Sequence, residues 1–423
     1  MTQVVYREHQ CYKDAKTGTL EEEEFRGILQ KHGVVLRDND YGFMGAPSHL
    51  GMNPELLVSY YIGADWLVEK ELSLVVLPKI EKIDFVQMLL CALSTDNQEE
   101  VDYFAKCYGI EMNQPAIETD ADQTYLTPIL LIHYLSLVER VVKYGLRKDY
   151  RTEESNLKGK IKGHLLLQRH LRQNVMTKRE DMACCRYQIY TEDIPVNRLL
   201  KRALVFAQRM LNECMAGHGS HAVLHAKINR AMVAFVEVSD EVEVSEVVHV
   251  PRNAMYRYYT EAVKVAKMIL RRYDYSMSNI SQANHATPPF WIDMSRLYEM
   301  YVLSKLRVEF GHEILFQVPG YGKSKVDYVY TGEKLIMDAK YKPQYKESLV
   351  LEDIREISGY ARDRKILKTM GADEEDKEVR CVVVYPTETE EKNIAKELTL
   401  WDRATEIDEF RNFRKIGVKV PVV

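Results

Sequence analysis

The sequence predicts a multidomain α+β protein with an N-terminal β-containing domain, a mostly helical middle region and a C-terminal α/β domain. The chain has 423 residues, enough for about two to four domains. Short β-branched runs alternate with stretches of helical periodicity. Thr287-Pro288-Pro289 then interrupts the chain before a last part of mixed helices and strands. We therefore divide the chain into residues 1–145, 146–285 and 286–423.

The composition, with 46% apolar and 29% charged residues, is that of a globular protein. The longest apolar stretch, residues 129–138, is far shorter than the roughly 20 residues that cross a bilayer. The first twenty residues lack the apolar core of a signal peptide. The seven cysteines form neither a disulfide framework nor a CxxC pair. We expect a cytoplasmic protein without a membrane span.

The N-terminal domain is predicted to hold a small sheet covered by helices. A Gly- and Pro-rich stretch, residues 42–54, is typical of a loop. Residues 56–62 and 72–77 form short β-branched runs that indicate strands. Residues 84–93 and 128–144 have the apolar spacing of amphipathic helices.

The middle region combines a basic segment with predicted helices over residues 196–216, 221–235 and 252–273. Residues 143–180, here called the basic segment, contain eleven Lys or Arg against four Asp or Glu, although the whole chain carries a net charge of -5. Such a segment can neutralise nucleic-acid phosphates, but a solvated surface is an equally common explanation of a charge run.

The C-terminal domain is predicted to follow the order helix 294–310, strands 313–318, 326–330 and 335–341, helix 351–370 and strand 380–385. Side chains alternate along a strand, so Asp338 and Lys340 face the same side. A hairpin turn at Thr331-Gly332 brings Asp327 beside Asp338. Two adjacent carboxylates repel unless a cation joins them, and Mg²⁺, or Mn²⁺, is the natural hard cation for oxygen ligands.

These three residues form the D…(D/E)xK arrangement of the PD-(D/E)xK nucleases. The metal ion would polarise the scissile phosphodiester, while Lys340 positions a water or stabilises charge on the phosphate. A bare D-x-K is common, because charged residues often alternate outward on strands. Here the apolar flank Leu335-Ile336-Met337 weakens that explanation, since charges in such a strand need partners.

Further residues are candidates for supporting roles. Glu299 lies in a strongly apolar helix, where a carboxylate belongs to the metal site, orients the lysine or forms a structural ion pair. Asp353, Glu356 and Tyr360 share one helical face; they brace the site, contact the DNA backbone or form a solvated surface. The DNA-binding candidates are Lys323, Lys325 and Lys342.

Two other motifs are set aside. Gly320-Tyr321-Gly322-Lys323-Ser324 is not a phosphate-binding P-loop, because Gln317 replaces the required glycine and a strand follows instead of a helix. Cys214, His218, His221 and His225 lie too close together for an ordinary zinc site, and a loop with ordinary histidines is favoured.

In these motifs the chain resembles the McrC family, the nuclease subunit of modification-dependent (5-methylcytosine) restriction systems that defend against phage. The nuclease-domain segments that carry the resemblance are Phe290–Met294, Leu297–Glu299, Val326-Asp327, Asp338–Lys342, Asp353–Ala361 and Val382–Pro386. Upstream segments that also resemble the family are Tyr61–Gly63, Val76–Ile80, Asn156–Lys160 and Asn197–Lys201. Two positions depart from the pattern: Val326 replaces a usual Pro, and Glu356 replaces a usual Gln.

The resemblance implies a C-terminal PD-(D/E)xK domain that uses Mg²⁺ to cleave double-stranded DNA. It also implies an AAA+ GTPase partner of the McrB type. Residues 1–145 would dock on this partner and stimulate its GTP hydrolysis. Two nuclease subunits would meet on DNA to cut both strands. Two alternatives stay open: a catalytically silent adaptor that activates the GTPase, and a stand-alone metal-dependent nuclease.

Overall fold

The computed structural model describes residues 2–14, 21–36, 49–80, 83–92, 98–104, 106–111, 114–115, 117–118, 123–214, 221–245, 257–278, 286–287, 289–322, 324–372, 379–388 and 399–422. The chain divides into two compact units, unit 1 with Met1–Leu126 and Asn284–Val423, and unit 2 with Thr127–Ala283. None of the helices in the described ranges is long and apolar enough to cross a membrane.

Helices are distributed over both units. In chain order they are α1 Glu22–Lys31, α2 Phe85–Ala92, α3 Gln98–Phe104, α4 Gln123–Tyr144, α5 Leu167–His170, α6 Pro195–Cys214, α7 His221–Ala234, α8 Arg257–Ser278, α9 Met294–Phe310, α10 Leu351–Tyr360, α11 Arg364–Met370 and α12 Leu400–Arg403. The helix predicted over residues 351–370 is two helices. The break occurs because the Asp363 side chain caps α11 by accepting hydrogen bonds from the Lys365 and Ile366 amides.

Strands build several sheets, so the α+β class is confirmed. In chain order they are β1 Thr2–Arg7, β2 Tyr61–Val68, β3 Leu72–Leu77, β4 Tyr108–Ile110, β5 Ile117–Glu118, β6 Asp149–Lys158, β7 His164–Leu165, β8 Met182–Thr191, β9 Ala286–Thr287, β10 Phe290–Asp293, β11 Ile314–Pro319, β12 Lys325–Tyr330, β13 Leu335–Ala339, β14 Arg380–Thr387, β15 Thr405–Glu406 and β16 Phe413–Lys419.

The first sheet of unit 1 joins the two ends of the chain in the order β1-β3-β2-β10-β4. β10, which follows the Pro288-Pro289 interruption, pairs antiparallel with both β2 and β4. Gly63 permits this pairing, because its φ is 140° and a Cβ there would lie 2.1 Å from the Phe290 carbonyl oxygen. The three-part division drawn from the sequence therefore differs from the observed units, in which the N- and C-terminal regions share a sheet.

One N-terminal strand is displaced from its predicted position. The run at residues 56–62 was expected to be extended, but β2 begins at Tyr61. Leu56 has a φ of 60°, outside the extended region, and is fully buried. Its apolar character therefore reflects core packing and not strand formation.

The second sheet of unit 1 positions the candidate site and has the order β11-β12-β13-β14-β16-β15. β12 pairs antiparallel with β13, with Tyr328 opposite Met337; continuing that register places Asp327 opposite Asp338. β13, β14 and β16 run parallel. Ile354 of α10 and Ile366 of α11 belong to the core on this sheet. One face of the sheet therefore packs against α10 and α11. The charged residues Asp327 and Asp338 lie near the paired ends of β12 and β13.

Unit 2 corrects the prediction of a mostly helical middle region. Helices α6, α7 and α8 match those expected, but the basic segment contributes β6 and β7 to an antiparallel sheet that β8 completes, in the order β6-β8-β7. β6 and β8 pair over ten residues each, from Asp149 opposite Thr191 to Lys158 opposite Met182. The sequence did not reveal β6, because its residues are mostly polar and are half-buried or exposed, without the apolar signal that marks a strand.

Candidate active site

Three elements of unit 1 bring the predicted acidic residues together. Asp327 lies on β12, Asp338 lies on β13, and Glu299 lies in the middle of α9. The Asp293 side chain caps α9 by accepting a 3.0 Å hydrogen bond from the Arg296 amide. Because β13 ends at Ala339, Lys340 leaves the sheet immediately beyond the two aspartates.

These residues line one cavity of about 320 Å³. The cavity gathers nine sequence-predicted residues: Glu299, Lys325, Asp327, Asp338, Lys340, Lys342, Asp353, Glu356 and Tyr360. Lys323, the remaining candidate, lies outside the described residues. A set of side chains drawn from four helices and strands thus meets at one place.

Glu299 and Asp327 are joined by Gln317 of β11. The Gln317 Nε2 atom donates to Glu299 Oε2 at 3.1 Å and to Asp327 Oδ1 at 3.0 Å. The Ala339 amide donates to Asp327 Oδ2 at 2.9 Å, and the Tyr103 hydroxyl donates to Glu299. Polar groups of the surrounding strands and α3 therefore hold both carboxyl groups in place.

Burial raises the pKa of all three carboxyl groups. It raises the pKa of Glu299 to about 8, with Asp293 and Asp338 adding to the effect against the opposing Tyr103 hydrogen bond. The pKa of Asp327 lies well above its usual range because of burial and then because of Glu299 and Asp338. Burial also raises the pKa of Asp338, although Lys340 opposes it. Ionisation of these carboxyl groups is therefore unfavourable in the metal-free site, and a bound cation would favour their ionised forms.

Lys340 is held between two carboxylates. Its Nζ atom lies 2.7 Å from Asp338 Oδ2 and 2.8 Å from Glu356 Oε2. Burial would lower the Lys340 pKa, but Asp338 and Glu356 outweigh burial and raise it above its usual value. The Tyr360 hydroxyl donates to Glu356 Oε1 at 2.8 Å. Lys340 is therefore a fixed cation at the site, and Glu356 with Tyr360 orients it.

Asp353 and Lys342 form a separate pair. The Lys342 Nζ atom donates to both Asp353 oxygens, at 2.9 and 2.8 Å, and the Tyr345 hydroxyl donates to Asp353 Oδ2 at 2.7 Å. Asp353 is buried, whereas the Lys342 side chain is about one third exposed. Asp353 therefore stabilises the chain segment that follows Lys340. Lys342 lines the cavity while its ammonium group is paired with Asp353.

Sequence reasoning missed three contributors to the site. Gln317 has a φ of 51°, which is uncommon for a residue with a side chain and is typical of strained functional positions. Tyr103 comes from α3, nearly two hundred residues before Glu299 in the sequence. His9 also lines the cavity; burial and then Lys79 and Lys342 lower its pKa to about 4, so it is neutral at pH 7. The unusual backbone angle of Gln317 is visible only in the structure. No local pattern in the sequence identifies Gln317, Tyr103 or His9 as site residues.

The donor set suits Mg²⁺. Among the described residues no group of three or more His, Cys, Asp or Glu side chains could together hold a metal ion. Mg²⁺ does not require such a cage, because it is bound by one or two carboxylates together with waters and substrate phosphates. Asp327 and Asp338 supply two adjacent carboxyl groups; burial first, and then Glu299 and Asp338, raise the pKa of Asp327, and a divalent ion would favour its ionised form.

The chain was compared with solved structures, with curated proteins and with models of protein families. Two solved structures from Thermococcus gammatolerans are similar at 15% sequence identity: a refined half-complex from a tetradecameric assembly of McrB AAA+ hexamers with bound McrC, and a cryo-EM structure of the McrBC complex. The first match covers 99% of this chain and 94% of that chain with a TM-score of 0.39. The second covers 73% and 88% with a TM-score of 0.30.

A search of curated proteins finds no match. A family model, described as McrBC 5-methylcytosine restriction system component, matches residues 58–358, most of the chain. The matched range includes four of the five strands of the first sheet of unit 1 (β2, β3, β4 and β10), the whole of unit 2 and the residues that line the candidate site from Glu299 to Glu356. The chain therefore belongs to the McrBC family of 5-methylcytosine restriction system components.

Proposed function

We propose that the chain is the endonuclease subunit of an McrBC-like restriction complex and cleaves modified double-stranded DNA by Mg²⁺-dependent phosphodiester hydrolysis. The observation that carries the proposal is the meeting of Asp327, Asp338 and Lys340 in one cavity, with Lys340 2.7 Å from Asp338. Asp and Lys side chains in this order and on adjacent strands are the arrangement of a PD-(D/E)xK nuclease. The six-stranded sheet with α9 and α10 would then be the nuclease domain.

Each residue has a role that follows from its contacts. Asp327 and Asp338 would hold Mg²⁺, which supplies Lewis-acid polarisation of the scissile phosphate when bound. Lys340, held as a cation by Asp338 and Glu356, orients the attacking water and offsets charge that develops on the phosphate oxygens. Glu299, fixed by Tyr103 and Gln317, holds the acidic side of the cavity in position.

DNA would reach this cavity along its basic rim. Lys325 lines the cavity and is exposed, so its ammonium can meet a phosphate with little desolvation. Lys342 lies at the same cavity but is paired with Asp353. We assign the phosphate contact to Lys325 first and to Lys342 second.

The proposed partner is an AAA+ GTPase of the McrB type, because the chain belongs to a family of restriction system components. In this proposal the partner recognises the modified base and translocates, and this chain docks through its N-terminal region and stimulates GTP hydrolysis. Two copies of this chain would meet on DNA, since each site cuts one strand. The complex would act in the cytoplasm.

Plasmid cleavage tests the proposal. The purified chain is incubated with Mg²⁺ and methylated or unmethylated plasmid, alone and with an McrB-type partner and GTP. Cutting that requires the partner, GTP and methylated DNA is the expected result. Partner-free cutting would assign the chain to the stand-alone nucleases instead. A stimulated GTPase without any cutting would assign it to the silent adaptors.

A further inference from the structure

Lys79, which follows the first sheet of unit 1, contacts the chain next to the candidate site. Neither metal binding nor DNA binding, as proposed above, explains this contact. Lys79 follows β3 in the segment Val76–Ile80. Its Nζ atom donates to the Tyr341 carbonyl oxygen and lies 3.9 Å from the centre of the Tyr341 ring. Tyr341 is the residue immediately after Lys340. Lys79 therefore binds both the peptide and the ring of that neighbour by a charged hydrogen bond and a cation–π contact.

Lys79 is itself held by a buried carboxylate. The Lys79 amide donates to Glu8 Oε2 at 2.9 Å, and the Glu8 amide donates to the Leu77 carbonyl at 3.0 Å. Glu8 is 3% exposed. Burial lowers the Lys79 pKa to about 8 against the opposing charge of Glu8, and burial raises the Glu8 pKa to about 7 against that of Lys79. A buried carboxyl group and a partly buried ammonium group thus lie close together beyond the ends of β1 and β3, where each favours the charged form of the other.

The segment that Lys79 binds, residues 340–342, is also hydrogen-bonded to the second sheet of unit 1. The Lys340 amide donates to the Val384 carbonyl of β14 at 2.8 Å, and the Lys342 amide donates to the Lys340 carbonyl at 2.6 Å. Residues 340–342 have already left β13, so strand pairing to β12 no longer fixes them. Without Lys79 this turn would keep the hydrogen bond to Val384, the packing of the Tyr341 ring against Tyr298 and the side-chain pairs of Lys340 and Lys342.

We propose that Lys79, fixed by Glu8, is a positioning residue that sets the main chain at Tyr341 and thereby the place of the Lys340 ammonium between Asp338 and Glu356. The proposal rests on the proposed nuclease function, since Lys340 is the group whose placement matters. Misplacing a reacting group by about 1 Å costs roughly 100-fold in rate. Lys79 touches neither metal nor DNA in this account.

Two variants of the full-length chain test the proposal. Lys79→Met keeps most of the side-chain volume and removes the charged donor, and Lys79→Arg keeps a charged donor. Lys31→Met, an exposed lysine near the end of α1, is the matched control. Hydrogen exchange followed by mass spectrometry reports on peptides that span residues 339–346, and single-turnover cleavage in the presence of the partner reports on chemistry.

Lys79→Met is expected to accelerate exchange in residues 339–346 while α1 and β14 stay protected. The same variant should cleave about 100-fold more slowly with unchanged DNA affinity, and Lys79→Arg should recover part of both effects. Unchanged exchange at residues 339–346 would overturn the proposal, and so would accelerated exchange throughout unit 1 or weaker DNA binding at an unchanged rate. If Lys79→Met accelerates exchange at residues 339–346 but the wild-type chain cuts no DNA, the role of Lys79 in holding this segment is supported. The proposed nuclease function is then contradicted.

Discussion

The ammonium nitrogen of Lys340 lies 2.7 Å from a carboxylate oxygen of Asp338, two residues earlier in the chain. This pair is possible because Asp338, the last residue but one of β13, faces the same side as Lys340, which lies just beyond the end of that strand. The pair keeps Lys340 protonated, since Asp338 and Glu356 together raise its pKa above the usual value in spite of burial. In the proposed reaction Lys340 is therefore an orienting cation and not a proton acceptor.

Replacement of Glu356 by Gln should slow cleavage only moderately. The amide oxygen can still accept the hydrogen bond from Lys340, while Asp338 continues to hold the ammonium. We expect a rate within about tenfold of wild type, whereas Lys340→Gln should lose at least 100-fold, the usual effect of removing a group that stabilises the transition state. Single-turnover plasmid cleavage measures both.

The matched control for this comparison is Glu352→Gln, an exposed carboxylate one turn earlier on α10. It should cleave like wild type. A Glu356→Gln variant as inactive as Lys340→Gln would show that the negative charge at residue 356 is itself required.

Glu299 should make the stability of the metal-free protein depend on pH. Its pKa is raised from 4.5 to about 8, first by burial. A folded-state pKa above the unfolded one contributes stability that is fully present below pH 4.5 and is lost as the pH rises through about 8. The free energy of unfolding should therefore fall across this range, by on the order of a few kcal/mol more in wild type than in Glu299→Gln.

Denaturant titrations at a series of pH values, with a chelator present, measure this difference. Gln keeps an oxygen that can accept the Tyr103 hydrogen bond, so the variant removes the titration without emptying the site. Parallel curves for the two proteins would contradict the raised pKa of Glu299.

The basic segment offers a test of binding in unit 2. Lys160, Arg172 and Arg179 are exposed in the connections between the strands of the unit 2 sheet. Replacing all three with Glu should weaken binding to DNA or to the motor partner. If the ligand is DNA, the slope of log K against log salt concentration should become shallower by about one unit for each phosphate that the variant no longer neutralises.

Fluorescence anisotropy over a salt series measures the affinity for DNA, and co-sedimentation measures binding to the motor partner. Lys264→Glu, an exposed residue of α8, controls for charge reversal outside the segment. Affinities equal to wild type in both arms would make the basic segment a solvated surface.

The elements that carry the site could be predicted because their signals are local. The periodicity of α9 and the alternation along β12 and β13 gave correct elements, and from them the convergence of Glu299, Asp327, Asp338 and Lys340. The turn between β12 and β13 is short, so the register that places the two aspartates together follows from the sequence.

Long-range pairing could not be predicted in the same way. β10 inserts between β2 and β4 although more than two hundred residues separate it from β2, and a four-residue strand has no signal for a distant partner. The same reason explains why Tyr103 and Lys79 were not placed at the site. β6 was missed for a different reason, because its residues are mostly polar and lack the apolar face that marks a strand.

The central claim is that the cleavage site lies at Asp338 and is separate from the surface that engages the motor. The most direct measurement pairs methylated-plasmid cleavage with GTP hydrolysis by an McrB-type partner, using wild type and Asp338→Ala under identical Mg²⁺ concentrations. We predict that Asp338→Ala abolishes cutting while assembly with the partner and stimulation of its GTPase stay at the wild-type level. Cutting by the variant at the wild-type rate, or loss of GTPase stimulation together with cutting, would contradict the account.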